Sequence, residues 1–292
     1  MVAPIGRAAT RAGGVAAVKP AKFDYVRAES LDEVLDVLAR DGPEARVLAG
    51  GQSLVPMLNM RLARPRTVVD IMRIDALRAL GDDGGVLWIG AAVRQVELAR
   101  HPGLAQRQTL LALALPWVGH AQTRSRGTVC GSIAHADPSA ELPLVLLASG
   151  GAVHLRSRRS ARRVPAELFF TGMMATARGD DELIEAVSLP AAAPGGGCAF
   201  REIARRHGDF AIVACAAVVG AGGARLAVGG VADRPVVRAL PQPGHAGLDA
   251  ALDDFAWELE ARDDMHATAS YRRELVRRIG RAVIEEAAQC LG

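Results

Sequence analysis

Two glycine-centred segments constrain this chain more than anything else in it. They are Ala49-Gly50-Gly51-Gln52-Ser53-Leu54 and Thr128-Val129-Cys130-Gly131-Ser132, the second running on into Ile133-Ala134-His135-Ala136-Asp137-Pro138. Each follows an apolar or basic lead-in and offers small residues with free backbone N–H groups. Main-chain donors reach an anion only where side chains are out of the way, so two such loops can close on the two phosphates of one dinucleotide. Ala-Gly-Gly after a strand is, taken alone, no more than a turn, because short glycine patterns occur widely. Two loops with their flanks demand far more of the fold. Gly50-Gly51 does not open a G-x-G-x-x-G, so the first loop is not a Rossmann turn.

Periodicity and punctuation divide the chain into three pieces. Ser30 to Ala39 reads as a helix: Ser30 is its N-cap, Glu33 stands three residues on, and Leu31, Val34, Leu35 and Leu38 recur at helical spacing. A strand at Val47-Leu48-Ala49 delivers the chain to the first loop, Pro56 to Leu62 makes a short helical turn, and Thr67 to Ile71 is a second strand. These close a first subdomain over residues 20–80. A second, over 81–192, opens with the strand Val86 to Gly90 and continues with helices at 93–99 and 104–118. It then carries the second loop, a helix from Ser139 to Ala148 stopped by Gly150-Gly151, and strands at 152–156 and 183–189. Pro190 to Gly197 reads as a linker. The last piece, 196–292, starts with strands at 198–204, 210–220, 224–231 and 236–240, Gly222-Gly223 marking a hairpin, and ends in helices at 248–260 and 268–289. The fold class is α+β, with a ligand site between the first two pieces capped by the third. Residues 1–19 read as a disordered extension, or a start site placed too early, rather than a transit segment; a secretory signal would need a continuous apolar core.

Composition excludes several classes. The 35 basic and 32 acidic residues leave a net charge of +3, and no dense basic stretch is interleaved with aromatics, so the footprint of a nucleic-acid binder is missing. Cys130, Cys198, Cys215 and Cys290 are scattered without a C-x-x-C pair, which argues against a local zinc or iron–sulfur site and fits a reducing, cytoplasmic setting. No run reaches the length of a membrane span. No Ser-His-Asp or Cys-His set and no carboxylate pair in a clear catalytic context is present, so catalytic and metal-ligating residues are both expected to be none. His135, His207 and His266 have no metal-ligand spacing and read as local or surface histidines.

The segments around the two loops resemble the FAD-binding medium subunit of the molybdenum hydroxylases, the group that includes carbon monoxide dehydrogenase, xanthine dehydrogenase and related N-heterocycle or aldehyde dehydrogenases. The resemblance runs from about Lys22 to Leu291. It is carried by Phe23-Asp24-Tyr25, by Arg46-Val47-Leu48-Ala49-Gly50-Gly51-Gln52-Ser53-Leu54-Val55-Pro56-Met57, by Arg61-Leu62-Ala63-Arg64-Pro65 and by Val68-Val69-Asp70-Ile71. It continues through Arg126-Gly127-Thr128-Val129-Cys130-Gly131-Ser132, Asp137-Pro138, Glu141-Leu142-Pro143, the stretch Phe200 to Ala211, and Tyr271-Arg272. The chain departs from the family pattern twice: Cys130 stands at the first glycine of a Thr-x-Gly-Gly, and Glu141 where Asp is common. A Cys resists positive φ, so ordinary backbone geometry is expected at position 130.

The resemblance implies a two-part FAD-binding domain of the vanillyl-alcohol-oxidase/PCMH type and a C-terminal domain like that of the carbon monoxide dehydrogenase flavoprotein, built from a three- to four-stranded sheet with helices. It implies FAD on this chain, with [2Fe-2S] clusters on a small partner subunit and molybdopterin on a large one, in a heterohexamer made of two heterotrimers. Electrons would leave the clusters for FAD and pass to an external acceptor. Cofactor contacts are expected from Val47, Leu48, Ala49, Gly50, Gly51, Gln52, Ser53 and Leu54, from Thr128, Gly131 and Ser132 with the hydroxyls as added donors, and from Asp137 and Glu141 toward ribityl or ribose hydroxyls. Asp209 would face the flavin's pyrimidine edge, Phe210 its face, and Arg201 would supply positive charge. Asp137 reads equally as a capping acid, whereas each of Arg201, Arg205 and Arg206, taken singly, reads better as part of a solvated edge. Two other functions stay in view: a free-standing flavin-dependent oxidoreductase of the same fold, and a scaffold subunit that has lost FAD, to which Cys130 is the only pointer.

Overall fold

The computed structural model describes residues 19–192 and 195–290; the extension expected at the N-terminus lies outside them apart from Lys19. Three sheets organise the chain. The first is parallel, strand order β1-β3-β2, from β1 (Asp24–Arg27), β2 (Ala45–Leu48) and β3 (Thr67–Asp70). Helix α1 (Leu31–Asp41) crosses between its first two strands. The Ser30 hydroxyl accepts from Glu33 N at 3.2 Å, while the Glu33 carboxylate accepts from Glu29 N at 2.9 Å, so two orphan donors at the helix start are satisfied. Val34, Leu35, Val37 and Leu38 form its buried face, and Gly42 ends it at φ +48°.

The second sheet is antiparallel with order β4-β5-β10-β6-β7, from β4 (Leu80–Asp83), β5 (Val86–Gly90), β6 (Ala152–Arg156), β7 (Ala161–Pro165) and β10 (Leu183–Pro190). A small hairpin, β8 (Phe170–Gly172) with β9 (Ala175–Thr176), leads back to β10. Sequence patterning passes over β4 and β7 because both are edge strands, polar on their exposed positions and paired on one side only.

The helix expected at 104–118 is broken. After α3 (Gln95–Ala99), the chain forms α4 (Leu104–Arg107), turns at Gln108 (φ −137°, ψ 57°), resumes as α5 (Thr109–Ala114) and tightens into a 3₁₀ turn at Leu115–Trp117. The buried Gln108 carboxamide donates to Leu189 O at 3.3 Å and Pro190 O at 2.9 Å, which fixes the break against β10. Three more helices follow: α6 (Ala121–Arg126), α7 (Val129–His135) and α8 (Glu141–Ala148). Every residue of α8 is buried. A one-turn helix, α9 (Ala166–Phe169), sits before the β8–β9 hairpin.

The third sheet is an antiparallel meander, β11 (Gly197–Ile203), β12 (Val213–Gly220), β13 (Gly223–Gly229) and β14 (Val236–Leu240), followed by α10 (Leu248–Glu258) and α11 (Ala269–Gln289). β12 reads as one apolar run because both faces of this sheet are covered. Val213, Cys215, Ala217 and Val219 join the core under α10 and α11, whereas Ala214, Ala216 and, on β13, Ala227 join the core shared with α8. Alanines on that second face let α8 lie close. Arg225 on β13 seals the contact, donating to Leu147 O and Ala148 O at 3.1 Å each, a cation at the carbonyl end of a helix. The chain between β11 and β12 loops out from residue 204 to 212, so Phe210 precedes the strand expected to contain it. No helix among the described residues is long and apolar enough to cross a membrane.

Candidate functional site

The two glycine loops touch. The first lies between β2 and α2 (Leu54–Asn59). A Cβ built on Gly50 would stand 2.3 Å from Arg126 O and 2.6 Å from Gly127 Cα, so only glycine fits there. Gly51 holds φ +72°, a left-handed conformation that side chains resist. The carbonyls of Gly51 and Ser53 turn into α2, accepting from Val55 N and Met57 N at 3.1 Å each. Among the described residues no protein acceptor takes the N–H of Gly50, Gly51, Gln52 or Ser53. That leftover set is what a helix-entry turn leaves for a ligand.

The second loop is held from behind. Gln95 N donates to Gly127 O at 2.9 Å and Val129 N to Val93 O at 3.2 Å. Thr128 caps α7: its hydroxyl accepts from Gly131 N at 3.0 Å, and a Cβ on Gly131 would meet that oxygen at 2.7 Å. This corrects the expectation of a free Gly131 amide. The short helix needs that donor for its own cap, and the Thr128 and Ser132 hydroxyls remain among the loop's donors, with the Cys130 N–H unpaired among the described residues. Cys130 has ordinary helical geometry in the first turn of α7. Its Sγ lies 3.5 Å from Ile89 O, and burial pushes the thiol up to about 12, so it packs as an unreactive apolar group.

Around these loops lies a cavity of about 830 Å³. Val47, Ala49, Gly50, Gly51, Gln52, Ser53 and Leu54 line it from the first loop, and Thr128, Gly131, Ser132, Asp137 and Glu141 from the second. Asp209 and Phe210 close it from the β11–β12 loop; Phe210 lines it while 63 % exposed. That loop is clamped: the His207 ring stacks on Trp117 at 5.0 Å, and Gly208 (φ +89°) lies where a Cβ would strike the His120 ring at 2.4 Å.

Two expected residues stand apart. Leu48 and Arg201 are not in the lining. Arg201 is placed on the α11 side of β11, where its Nε donates to Glu286 at 2.8 Å, because alternate residues of a strand face opposite ways. Conversely, Gln95, Arg178 and Glu182 line the cavity without having been marked by any sequence pattern, and Arg46, which opens the first-loop motif but is no expected contact, lines it too. Arg46 and Arg178 each tie Nη1 to main-chain carbonyls, of Pro43 and Ala45 and of Gly179 and Glu182 respectively. Burial, then the neighbouring Arg46, lowers the Arg178 pKa. His135, read as a local or surface histidine, lines the cavity, and burial lowers its pKa while Asp137 opposes the shift.

Asp137 combines both of its readings: its Oδ1 accepts from Ser139 N at 2.8 Å, making the turn after α7, and it borders the cavity. Glu141 opens α8 and is 5 % exposed. Its pKa is pushed up to about 8, chiefly by burial, against its own backbone N–H; the Glu202 and Asp137 carboxylates add to the rise and Arg124 opposes it. Burial thus favours the neutral acid at Glu141, which could donate as well as accept.

The cavity fits a flavin dinucleotide on three counts. Its volume falls in the range of sites that bury a large part of an organic ligand. Its waist is a glycine contact that no side chain obstructs, edged by unpaired N–H groups suited to a diphosphate. Its wall adds hydroxyls, two arginines and a neutral carboxyl. Fold and site thus define a chain that holds a dinucleotide between two subdomains under a third.

Comparison with known proteins makes the assignment specific. The model of the FAD binding domain in molybdopterin dehydrogenase matches residues 21–192, and that of the CO dehydrogenase flavoprotein C-terminal domain matches 198–287. The chain is 34 % identical to the caffeine dehydrogenase subunit beta of Pseudomonas sp. (strain CBB1), over 93 % of this chain and 96 % of that one. It is 34 % identical to the nicotine 6-hydroxylase medium subunit of Paenarthrobacter nicotinovorans, over 90 % and 96 %. Its structure superposes on carbon monoxide dehydrogenase from Hydrogenophaga pseudoflava with TM-score 0.87 and 30 % identity, covering 94 % of this chain and 99 % of that one. The chain belongs to the FAD-binding medium subunits of the molybdenum hydroxylase family.

Proposed function

We propose that this chain is the electron-transfer subunit of a multi-subunit molybdenum hydroxylase, receiving electrons from the [2Fe-2S] clusters of a small partner subunit and passing them to an external acceptor. Bound FAD supplies the chemistry, since it takes up electrons singly and releases them singly or in pairs. The residues of this chain bind and shield. Gly50 to Ser53 and the hydroxyls of Thr128 and Ser132 hold the diphosphate, Glu141 and Asp137 meet the sugar-like hydroxyls, and Asp209 and Phe210 flank the ring. The observation that carries this reading is the pair of abutting glycine loops at one cavity. Relatives named for caffeine, nicotine and carbon monoxide share the architecture, which suits a substrate site placed on a large molybdopterin subunit.

The test is anaerobic mixing of the FAD-loaded chain with a chemically reduced [2Fe-2S] partner subunit. Bleaching of the flavin absorbance is expected, and addition of substrate to the isolated chain is expected to leave it unchanged. Substrate turnover by this chain alone, without molybdenum, would overturn the reading in favour of a free-standing flavoenzyme.

A further inference from the structure

The cavity extends to both sides of its glycine waist. Gly50 lies against Arg126 and Gly127, which puts the waist at the C-terminal end of α6. Gly208 lies against Gly119 and His120 at the start of that helix, and brings Asp209 and Phe210 to the cavity on that side. Strand β2 leads the other way. Arg46 precedes Ala49 by three residues, about 10 Å at the usual strand rise. Its Nη1 is held back from the waist by Pro43 O and Ala45 O, at 2.8 Å each. On the same side α1 packs on β10, and the wall is made by Leu38, Leu183, Ile184 and Arg178.

Arg178 is fixed from behind. Its Nη1 donates to Gly179 O at 2.7 Å and to Glu182 O at 2.8 Å. The turn that carries those carbonyls is locked by Glu182, 6 % exposed. The Glu182 carboxylate accepts from Gly179 N at 2.6 Å and from Arg162 Nε and Nη2 at 2.7 Å each. Among the described residues the side-chain hydrogen bonds of Arg46 and Arg178 go to carbonyls alone, and the Nε and Nη2 of both are without partners.

Two cations that hold no acid, set among aliphatic side chains, would suit only one part of a flavin dinucleotide. Backbone donors take the diphosphate at the waist, and Asp209 and Phe210 take the ring beyond it, which leaves the adenosine for this side. A guanidinium plane gives a purine a flat cationic face to stack on and N–H donors for its ring nitrogens. Leu38, Leu183 and Ile184 favour a base over a phosphate, because an apolar wall solvates no charge.

We propose that Arg178 and Arg46 build the adenosine end of the cavity, the Arg178 guanidinium stacking on the adenine, and that this end makes the chain select FAD over a flavin without adenosine. It rests on FAD binding by this chain alone, so its failure would leave the electron-transfer reading standing.

The experiment is fluorescence titration of the flavin-free full chain with FAD and with the diphosphate ester of riboflavin, which keeps the ring, the ribityl chain and the diphosphate but lacks adenosine. Wild type is expected to bind FAD more tightly by roughly tenfold or more. Arg178→Ala should weaken FAD binding by roughly tenfold and leave the riboflavin ester within about twofold of wild type. Arg178→Lys should behave like the alanine variant, since an ammonium has no plane to stack. Urea unfolding shows whether each variant folds; if Arg178→Ala does not, Arg46→Ala is expected to show the same selective loss. Equal losses for the two ligands would assign the arginines to the diphosphate or to the fold and overturn the proposal. A wild type indifferent to adenosine, or full rescue by lysine, would overturn it too.

Discussion

Gly50 rests directly on the backbone of Arg126: the carbonyl oxygen lies 2.3 Å from where a Cβ on Gly50 would be. One methyl group would therefore push apart the two loops that form the waist of the cavity. Backbone cannot rotate away as a side chain does, and the strain of such overpacking is about 1–3 kcal/mol. Gly50→Ala should weaken FAD binding by roughly ten- to a hundredfold, measured by fluorescence titration. Gly51→Ala meets only side chains, at 3.2 Å and beyond, and carries a left-handed φ cost of about 1 kcal/mol, so it should do less damage. Equal effects would sink the loop-contact account.

The Thr128 hydroxyl has two duties, capping α7 and facing the cavity. Thr128→Val should lower stability by about 1 kcal/mol in urea unfolding of the apo chain. It should also reduce FAD affinity, while Thr128→Ser keeps both. A valine variant as stable as wild type would show that the cap is dispensable.

Burial raises the Glu141 and Glu202 carboxyls on folding, from the ordinary value of 4.5 to about 8 and about 7. A carboxyl that is harder to ionise when folded contributes stability below its unfolded pKa and loses it as pH rises through the folded one. The apo chain should therefore lose stability between about pH 4.5 and pH 8, with a slope of at most about 1.4 kcal/mol per pH unit for each group. Thermal midpoints of Glu202→Gln should exceed those of wild type at the alkaline end and converge with them at the acid end. Parallel curves would refute the assignment.

Arg201 pairs with Glu286 on the surface, where such pairs contribute about 0–1 kcal/mol. Arg201→Ala should leave FAD affinity within about twofold of wild type. A drop of an order of magnitude would mean that the guanidinium swings into the cavity.

Cys130 is a packing residue within a helix, so its replacement should affect the core and not the cofactor. Cys130→Gly should cost about 1 kcal/mol in stability through helix propensity alone, with FAD still bound one to a chain. Flavin acquired only by the glycine variant would instead support the scaffold alternative.

The features legible in the sequence were those whose cause is local. The glycines of both loops announce themselves because backbone approach forbids side chains, and Ser30 with Glu33 marks a helix start because a cap is built from neighbours. What escaped depends on distant partners. Gln108 breaks a helix because the carbonyls of Leu189 and Pro190 lie within reach, and nothing near Gln108 foretells them. Arg46 and Arg178 come together only when β2 meets the loop before β10, a contact with no spacing to betray it. Arg201 was misplaced by one strand face, a distinction that a two-residue period cannot settle when both faces are covered.

Helix α8 has no face for water, and its outer side is roofed by strands that lie more than sixty residues later in the chain. During synthesis α5 and α7 are already there to meet it, but the strands that close its outer side are not. Until β12 and β13 arrive, one side of that helix stays uncovered, and the loop bearing Asp209 and Phe210 does not yet exist to roof the cavity. Nascent chains arrested before residue 213 are expected to expose that side of α8 and to load flavin poorly.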